Sequence, residues 1–134
     1  GNFFFALAVG REMIKQKKGN IINILSNCSF VAEHGIGTYC VSKGGLLMTT
    51  RCLATEWGPY GIKVNAIGPA FIKTPMNDPV LADPHFVEWS TNRIPLHRMG
   101  QPEETVGAAI YLASGASSFV NGAVLMVDGG FTAC

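Results

Sequence analysis

The spacing of apolar residues along the chain changes period several times, and each change predicts an element. Residues 3–18 are apolar early and basic late, from "FFFALAV" to "KQKK", and read as a helix that Gly19 stops. "NIINIL", residues 20–25, is a near-continuous β-branched run between turn formers, as suits a strand covered on both faces. Residues 26–38 read as loop. A second helix is expected from about Thr38 to Trp57, with Leu46, Thr50, Leu53 and Trp57 on one face and Leu47 and Ala54 alongside. "GPYG" at 58–61 ends it, and "IKVNAI", 62–67, is the second strand. Gly68 to Met76 is a proline-containing turn. Residues 77–100 are the least regular part, with further prolines and short helical pieces around Val80 and over 84–92, and are the candidate for a lid or specificity loop. Pro102 opens a helix to about Ala113, with Glu103 and Glu104 in its first turn where negative charge is favoured, and "AVLMV", 123–127, is the third strand.

The order α-β-α-β-irregular-α-β predicts an α/β fold of parallel β-α-β units, with right-handed crossovers burying about three strands between helices. Such a sheet would leave its first strand with an open, hydrophobic edge, a poor arrangement for a free-standing domain.

Composition narrows the functions available. The chain of 134 residues is 48% hydrophobic and 14% charged with a net charge of +1, so it should build one sizeable core and lacks the clustered Lys and Arg that nucleic acid or an anionic membrane demands. The basic cluster at 15–18 suits a helix C-terminus. No apolar run reaches the ~18 residues of a membrane span, and "FFFALAV" has no basic flank before it. Cys28, Cys40, Cys52 and Cys134 form no C-x-x-C pair, and His34, His85 and His97 are scattered, so free thiols in a reducing, cytoplasmic setting and no metal site are expected. Cys40 and Cys52 read as small core residues. Trp57, Trp89 and the phenylalanines at 3–5 read as packing or interface residues.

Chemistry enters with "YCVSKGG", residues 39–45. On a helix, positions i and i+4 share a face, which sets the Tyr39 hydroxyl beside the Lys43 ammonium. Active sites of open α/β sheets lie beyond the carboxyl ends of the strands. Ser26 follows the first strand, Tyr39 and Lys43 begin the next helix, and Gly68, Pro69 and Thr74 follow the second strand, so all fall on one edge. A tyrosine in water has a pKa of ~10 and is a poor base at neutral pH, whereas a nearby ammonium favours the phenolate. Tyr39 could then exchange a proton with an alcohol or carbonyl oxygen, and Ser26 could hold that oxygen by a hydrogen bond. This is a toolkit for interconverting an alcohol and a ketone, provided another group carries the hydride.

The motifs "NIINILS", "YCVSK" with Ser26 thirteen positions before Tyr39, "VNAIGPAFIKTPM", "RMGQPEE" and "VLMVDGG" follow one another at intervals that resemble the short-chain dehydrogenase/reductase family across essentially the whole chain. The resemblance implies a Rossmann-like fold and an NAD or NADP cofactor. It implies Tyr39 as general acid/base and as a cofactor contact, Lys43 as the residue that tunes it and holds the nicotinamide ribose, and Ser26 as the group that orients the substrate oxygen. Ile72 would meet the nicotinamide carboxamide through its backbone, Thr74 would contact the carboxamide or a nearby phosphate, and Pro69 would shape that loop. Within the family, "LATEWGPYGIKVNAIGP", "DPHFVEWSTNRIPLHRMGQPEE" and "GGFTA" resemble most the gluconate 5-dehydrogenase group, so a sugar acid or polyol is the implied small-molecule substrate; related sequences reduce 3-oxoacyl thioesters. The helices matching 3–18 and 38–57 pack across a dimer interface in the family, where Gly44 and Gly45 would permit close approach, which implies a homo-oligomer.

The family's glycine-rich pyrophosphate loop has no counterpart, nor do the residue that selects NAD or NADP and the Asn of the family's catalytic tetrad; Asn2 does not align with that Asn. Pro69-Ala70 replaces the usual Pro-Gly, and alanine tolerates positive φ badly, so an altered turn is expected there. These gaps are all N-terminal. The chain, which opens on Gly1 inside an apolar run, is therefore expected to be the C-terminal catalytic half of a doubly wound, dinucleotide-binding domain over residues 1–134. The alternative from another class is a non-catalytic remnant or assembly module that keeps the elements and binds no dinucleotide.

Overall fold

The computed structural model describes residues 1–133. Its elements are α1 (Asn2–Gln16), β1 (Gly19–Ile24), α2 (Gly37–Trp57), β2 (Ile62–Pro69), α3 (Asp78–Leu81), α4 (Pro84–Asn92), α5 (Val106–Ala113) and β3 (Val124–Val127), with short 3₁₀ turns between them. The three strands form one parallel sheet in the order β1-β2-β3. Gly19 pairs with Ile62 and Ile24 with Ile67 along one side of β2; Ala66 pairs with Val124 and Pro69 with Val127 along the other.

Alternation along β2 builds the layers. Ile62 and Val64 pack with Ala6, Leu53, Ala54 and Trp57, which come from α1 and α2 on one face. Ala66 continues that face against Leu25, Leu46 and Leu47. Ile67 points the other way, onto Ala108 and Leu112 of α5. The result is helix, sheet, helix, with a central strand dry on both sides. Asn65, wholly buried in that strand, is satisfied: its Nδ2 donates to the Val120 carbonyl at 2.9 Å and its Oδ1 accepts from the Ala123 N–H at 3.0 Å. Thr50 is likewise buried within α2, returning its hydroxyl to the Leu46 carbonyl and accepting from Asn23 Nδ2.

The expected face of α2 is the buried one: Leu46, Leu47, Thr50, Leu53, Ala54 and Trp57 all point inward. Other expectations need correction. Lys17, not Gly19, ends α1; it adopts a left-handed conformation (φ 53°) and its N–H returns to the Ile14 carbonyl, while Gly19 already belongs to β1. The run from Pro102 is a 3₁₀ turn over 102–105 before α5 begins at Val106. Cys52 lies on the exposed side of α2, because a position six after Leu46 falls across the helix from the buried stripe. Ala70 is not strained: among the described residues, Lys17 and His97 are the only non-glycines with positive φ.

The outer edge of β1 carries no strand among the described residues, and Ile24 at its end is half exposed. Beside this edge, Asn2, Phe5, Ala6 and Val9 of α1 and residues 21–24 line a groove of about 260 Å³. Phe4 and Phe5 stand out from α1 at 74% and 72% exposure.

Gly10 allows α1 to lie against α2, since a Cβ there would overlap the Trp57 ring. Gly10→Ala should therefore cost about 1–3 kcal/mol in urea unfolding. Gly44→Ala, at a helical position with nothing of the same chain within 4 Å of the added carbon, should be neutral or gain up to ~1 kcal/mol in the same measurement on the monomer.

Candidate active site

The carboxyl ends of β1 and β2 bring the candidate residues to one edge. Ser26 follows β1 at the start of a 3₁₀ turn over Asn27–Ser29 and caps it, accepting from the Cys28 N–H at 3.2 Å. Its own hydroxyl proton is given to Asn27 Oδ1 at 2.8 Å, and Asn27 Nδ2 in turn donates to Glu33 Oε1 at 2.6 Å. Ser26 and Asn27 are buried. Asn27 and Glu33 were not foreseen. The signal available for them was a polar residue next to the serine and a lone acid in the following loop, which is weak because loops are ordinarily polar.

Tyr39 and Lys43 sit in the first two turns of α2. The Lys43 ammonium lies 5.7 Å from the centre of the Tyr39 ring and donates to the Ile24 carbonyl at 2.8 Å. That bond ties the start of α2 to the last residue of β1, two positions before Ser26. Burial pushes the Lys43 pKa below its ordinary value, because partial desolvation disfavours the cation. The Tyr39 ring is 45% exposed, so it is open to a ligand. Burial, opposed by the bond from Ser26 and reinforced by Glu33 and Cys40, pushes the thiol of Cys28, in the serine turn, up to about 11.

Pro69 is the last residue of β2 and pairs with Val127. Ile72 forms an isolated parallel bridge with Gly100: the Gly100 N–H donates to the Phe71 carbonyl and the Lys73 N–H to the Gly100 carbonyl, both at 2.9 Å. A parallel bridge of this register turns Ile72's own N–H and C=O to the opposite side. There the carbonyl accepts from Asn77 Nδ2 at 2.7 Å. Thr74 precedes a 3₁₀ turn over Pro75–Asn77 without using its side chain to cap it.

The irregular segment is pinned by aromatic rings. Phe71 makes edge contacts with Phe86 and Trp89 of α4 and with Phe131, at centroid distances of 5.7, 5.9 and 5.6 Å. The Arg93 guanidinium lies 5.0 Å from both the Trp89 and Phe131 rings. Beside this cluster a cleft of about 590 Å³ opens between Phe71, Ile72, Leu96, Arg98, Glu104 and Asp128; Ser26, Tyr39 and Lys43 do not line it. Burial alone would raise the Asp128 carboxyl, but bonds from the Thr132 hydroxyl and N–H and from the Gly130 N–H outweigh it and hold the pKa below its ordinary value. Among the described residues, no group of three or more His, Cys, Asp or Glu side chains could hold a metal, and no helix is long and apolar enough to cross a membrane.

Residues 1–132 match the family model described as enoyl-(acyl carrier protein) reductase. Gluconate 5-dehydrogenase of Gluconobacter oxydans is 47% identical over 130 residues, 97% of this chain and 51% of the relative. The chain belongs to the short-chain dehydrogenase/reductase family. A 5-keto-D-gluconate 5-reductase of Escherichia coli is 42% identical over 96% of the chain and 50% of its own length. The crystal structure of a gluconate 5-dehydrogenase from Burkholderia cenocepacia in complex with NADP and tartrate superposes with a TM-score of 0.94 at 43% identity, covering 96% of this chain and 51% of that one. The chain thus spans about half the length of the curated relatives it matches.

The bridge between Ile72 and Gly100 is buttressed by an ion pair. Arg98 donates to both Glu104 oxygens at 2.7 and 2.6 Å, and Glu104 also accepts from the Gln101 N–H, which fixes the loop around Gly100. The bond from Arg98, then that from Gln101, lowers the Glu104 pKa from 4.5 to about 2. A carboxylate depressed on folding stabilises the fold above its unfolded pKa and loses that contribution as pH falls through the folded value. An NMR titration should place Glu104 near 2, and Arg98→Met should raise it toward 4.5 and reduce the loss of stability between those two pH values.

Proposed function

We propose that this chain is the C-terminal catalytic half of a dinucleotide-binding domain, in an NAD(P)-dependent oxidoreductase that interconverts a secondary alcohol and a ketone on a sugar acid such as gluconate. The observation that carries this reading is the placement of the Lys43 ammonium 5.7 Å from the Tyr39 ring while it is bonded to the end of the strand that Ser26 follows. Similarity to gluconate 5-dehydrogenases and to a 5-keto-D-gluconate reductase supports the substrate class. A relative of known structure that holds NADP supports the cofactor.

In the reducing direction the Tyr39 hydroxyl gives its proton to the carbonyl oxygen, and in the oxidising direction its oxygen takes the proton from the alcohol. Lys43 supplies positive charge at the ring face and stabilises the negative oxygen that remains once the proton has left. Ser26 donates to the same substrate oxygen after its hydroxyl turns away from Asn27; Asn27, still held by Glu33, keeps the turn in place. The nicotinamide, when bound, supplies or accepts the hydride.

The carboxyl edge fits the nicotinamide end of a dinucleotide. Lys43 is half buried beside an exposed Tyr39, and the Ile72 backbone faces away from its bridge partner. Pro69 and Thr74 bound that loop. Residues for the pyrophosphate end, a glycine-rich turn after a strand, are not found in this chain, so we place them on a strand-bearing half that pairs with the open edge of β1. A homo-oligomer built on α1 and α2 is part of the same reading, with the exposed Phe4 and Phe5 available for burial.

Joined to a glycine-rich half, the protein should reduce 5-ketogluconate with NADPH or NADH. Tyr39→Phe should lower kcat by ~10²–10⁴ while nicotinamide fluorescence reports unchanged cofactor binding. Turnover that survives this substitution would remove Tyr39 from the role given to it. A folded protein that binds neither dinucleotide would instead favour a non-catalytic assembly module.

A further inference from the structure

The sequence holds one Asn-Gly step, Asn121-Gly122, in the turn that leads into β3. Such a step is prone to deamidation, because glycine has no Cβ to hinder attack by its amide nitrogen on the asparagine carboxamide. Here one residue of the central strand holds both reacting groups. The Asn121 Oδ1 accepts from the Val64 N–H at 2.8 Å, and the Gly122 N–H donates to the Val64 carbonyl at 2.9 Å. The Asn121 Nδ2 donates to the Ala54 carbonyl at 2.9 Å. Val64 is wholly buried whereas Asn121 is exposed, so bonding and not burial restrains the asparagine. Asn65 grips the flanks: its Nδ2 donates to the Val120 carbonyl at 2.9 Å and its Oδ1 accepts from the Ala123 N–H at 3.0 Å. Gly122 has φ +73°, so the turn itself calls for the glycine that makes the step labile.

We propose that Asn121-Gly122 is a deamidation site that the fold keeps closed, and that conversion there while the chain is unfolded hinders its return to this fold. The Gly122 nitrogen attacks Asn121 Cγ; the N–Cγ bond forms, the Cγ–Nδ2 bond breaks, and ammonia leaves with the Gly122 proton. Water then opens the cyclic imide at either carbonyl. The product is aspartate or, with the main chain rerouted through the side-chain carbon, isoaspartate. No electrons are transferred; one water is consumed and one ammonia released. In the folded chain the attack needs the Gly122 N–H to leave a buried carbonyl and the carboxamide to leave both the Val64 N–H and the Ala54 carbonyl. Unfolding removes all three restraints at once. Aspartate can still accept from the Val64 N–H, but it donates nothing to the Ala54 carbonyl and sets a negative charge against it. Isoaspartate adds one carbon to the backbone between Val120 and Gly122, inside the span that Asn65 bridges. Either product loosens the join between α2, β2 and the approach to β3. None of this depends on the dehydrogenase reading, because the readout is the mass of a peptide.

The test ages the full chain at mildly alkaline pH with a thiol reductant, once in buffer and once in guanidine. No Lys or Arg follows Arg98, so trypsin releases residues 99–134 as one peptide in which Asn121 is the sole asparagine. The expected product is this peptide heavier by the exchange of an NH2 for an OH, resolved into two isomers by reversed-phase chromatography. Conversion should be at least about tenfold slower in the folded chain than in guanidine, because only molecules with the Val64 bonds open can react. Gly122→Ala, aged in guanidine where its fold plays no part, should convert more slowly than the parent. Parent chain aged in guanidine and then diluted to refold should divide on size exclusion: the compact fraction should retain Asn121, and the aggregated fraction should be enriched in the converted peptide. Equal rates in the folded and denatured chain, earlier conversion at another asparagine in guanidine, or the same share of converted peptide in both fractions would each overturn the proposal.

Discussion

Everything at the carboxyl edge depends on β2 being covered on both faces. Val64, Asn65 and Ala66 are wholly buried, so the strand can sit only in the middle, with β1 and β3 paired on either side and helices above and below. A strand in that position must satisfy its polar groups internally, and it does so through Asn65 and through Asn121, whose side chain accepts from the Val64 N–H at 2.8 Å and donates to the Ala54 carbonyl at 2.9 Å. Asn121 thereby joins α2, β2 and the approach to β3. The register that results sets Ile24 opposite Ile67, so β1 and β2 release their chains side by side. Ser26 and the Pro69 turn emerge together for that reason.

The bond from Lys43 to the Ile24 carbonyl converts this sheet geometry into site geometry. The first turns of a helix are its least constrained part, since their N–H groups lack intrahelical partners and few tertiary contacts hold them. Here a charged side chain from the second turn of α2 reaches the last residue of β1. One charge-assisted hydrogen bond thereby orients the face that carries Tyr39. The cation holds a carbonyl and not a carboxylate, so its charge remains uncompensated at the ring of Tyr39. An ion pair in the same place would have spent that charge.

How much of this could be read from the chain follows from the range of the interaction involved. The strands and the inward face of α2 were legible because one-sided burial repeats along the chain: Leu46, Thr50, Leu53 and Trp57 recur with the helical period and are buried as that period demands. Tyr39 and Lys43 were legible because i and i+4 geometry is local. The left-handed cap at Lys17 was not, since a glycine two residues later was the better conformational candidate and the pairing of Gly19 with Ile62 pulled that residue into the sheet. The aromatic cluster on Phe71 was invisible for another reason. Its members come from the loop after β2, from α4 and from Phe131, and only the closed fold brings them together.

The serine poses the remaining question of design. Ser26 lies at the right end of β1, yet its proton is already given to Asn27, whose amide is anchored on Glu33. A buried hydroxyl without a partner costs about 1–3 kcal/mol, so an internal acceptor keeps the turn stable while no substrate is present. The exchange that substrate binding would require is then one hydrogen bond for another, with little net cost on the protein side. What is lost is an acceptor's partner: Asn27 Oδ1 would be left to water or to the ligand itself. A polyhydroxylated acid can fill that vacancy with one of its own hydroxyls, whereas an apolar ketone cannot, and a buried acceptor left empty discriminates against the ligand that leaves it so. On the proposed dehydrogenase reading, Asn27 would therefore favour a substrate that carries its own hydroxyl groups.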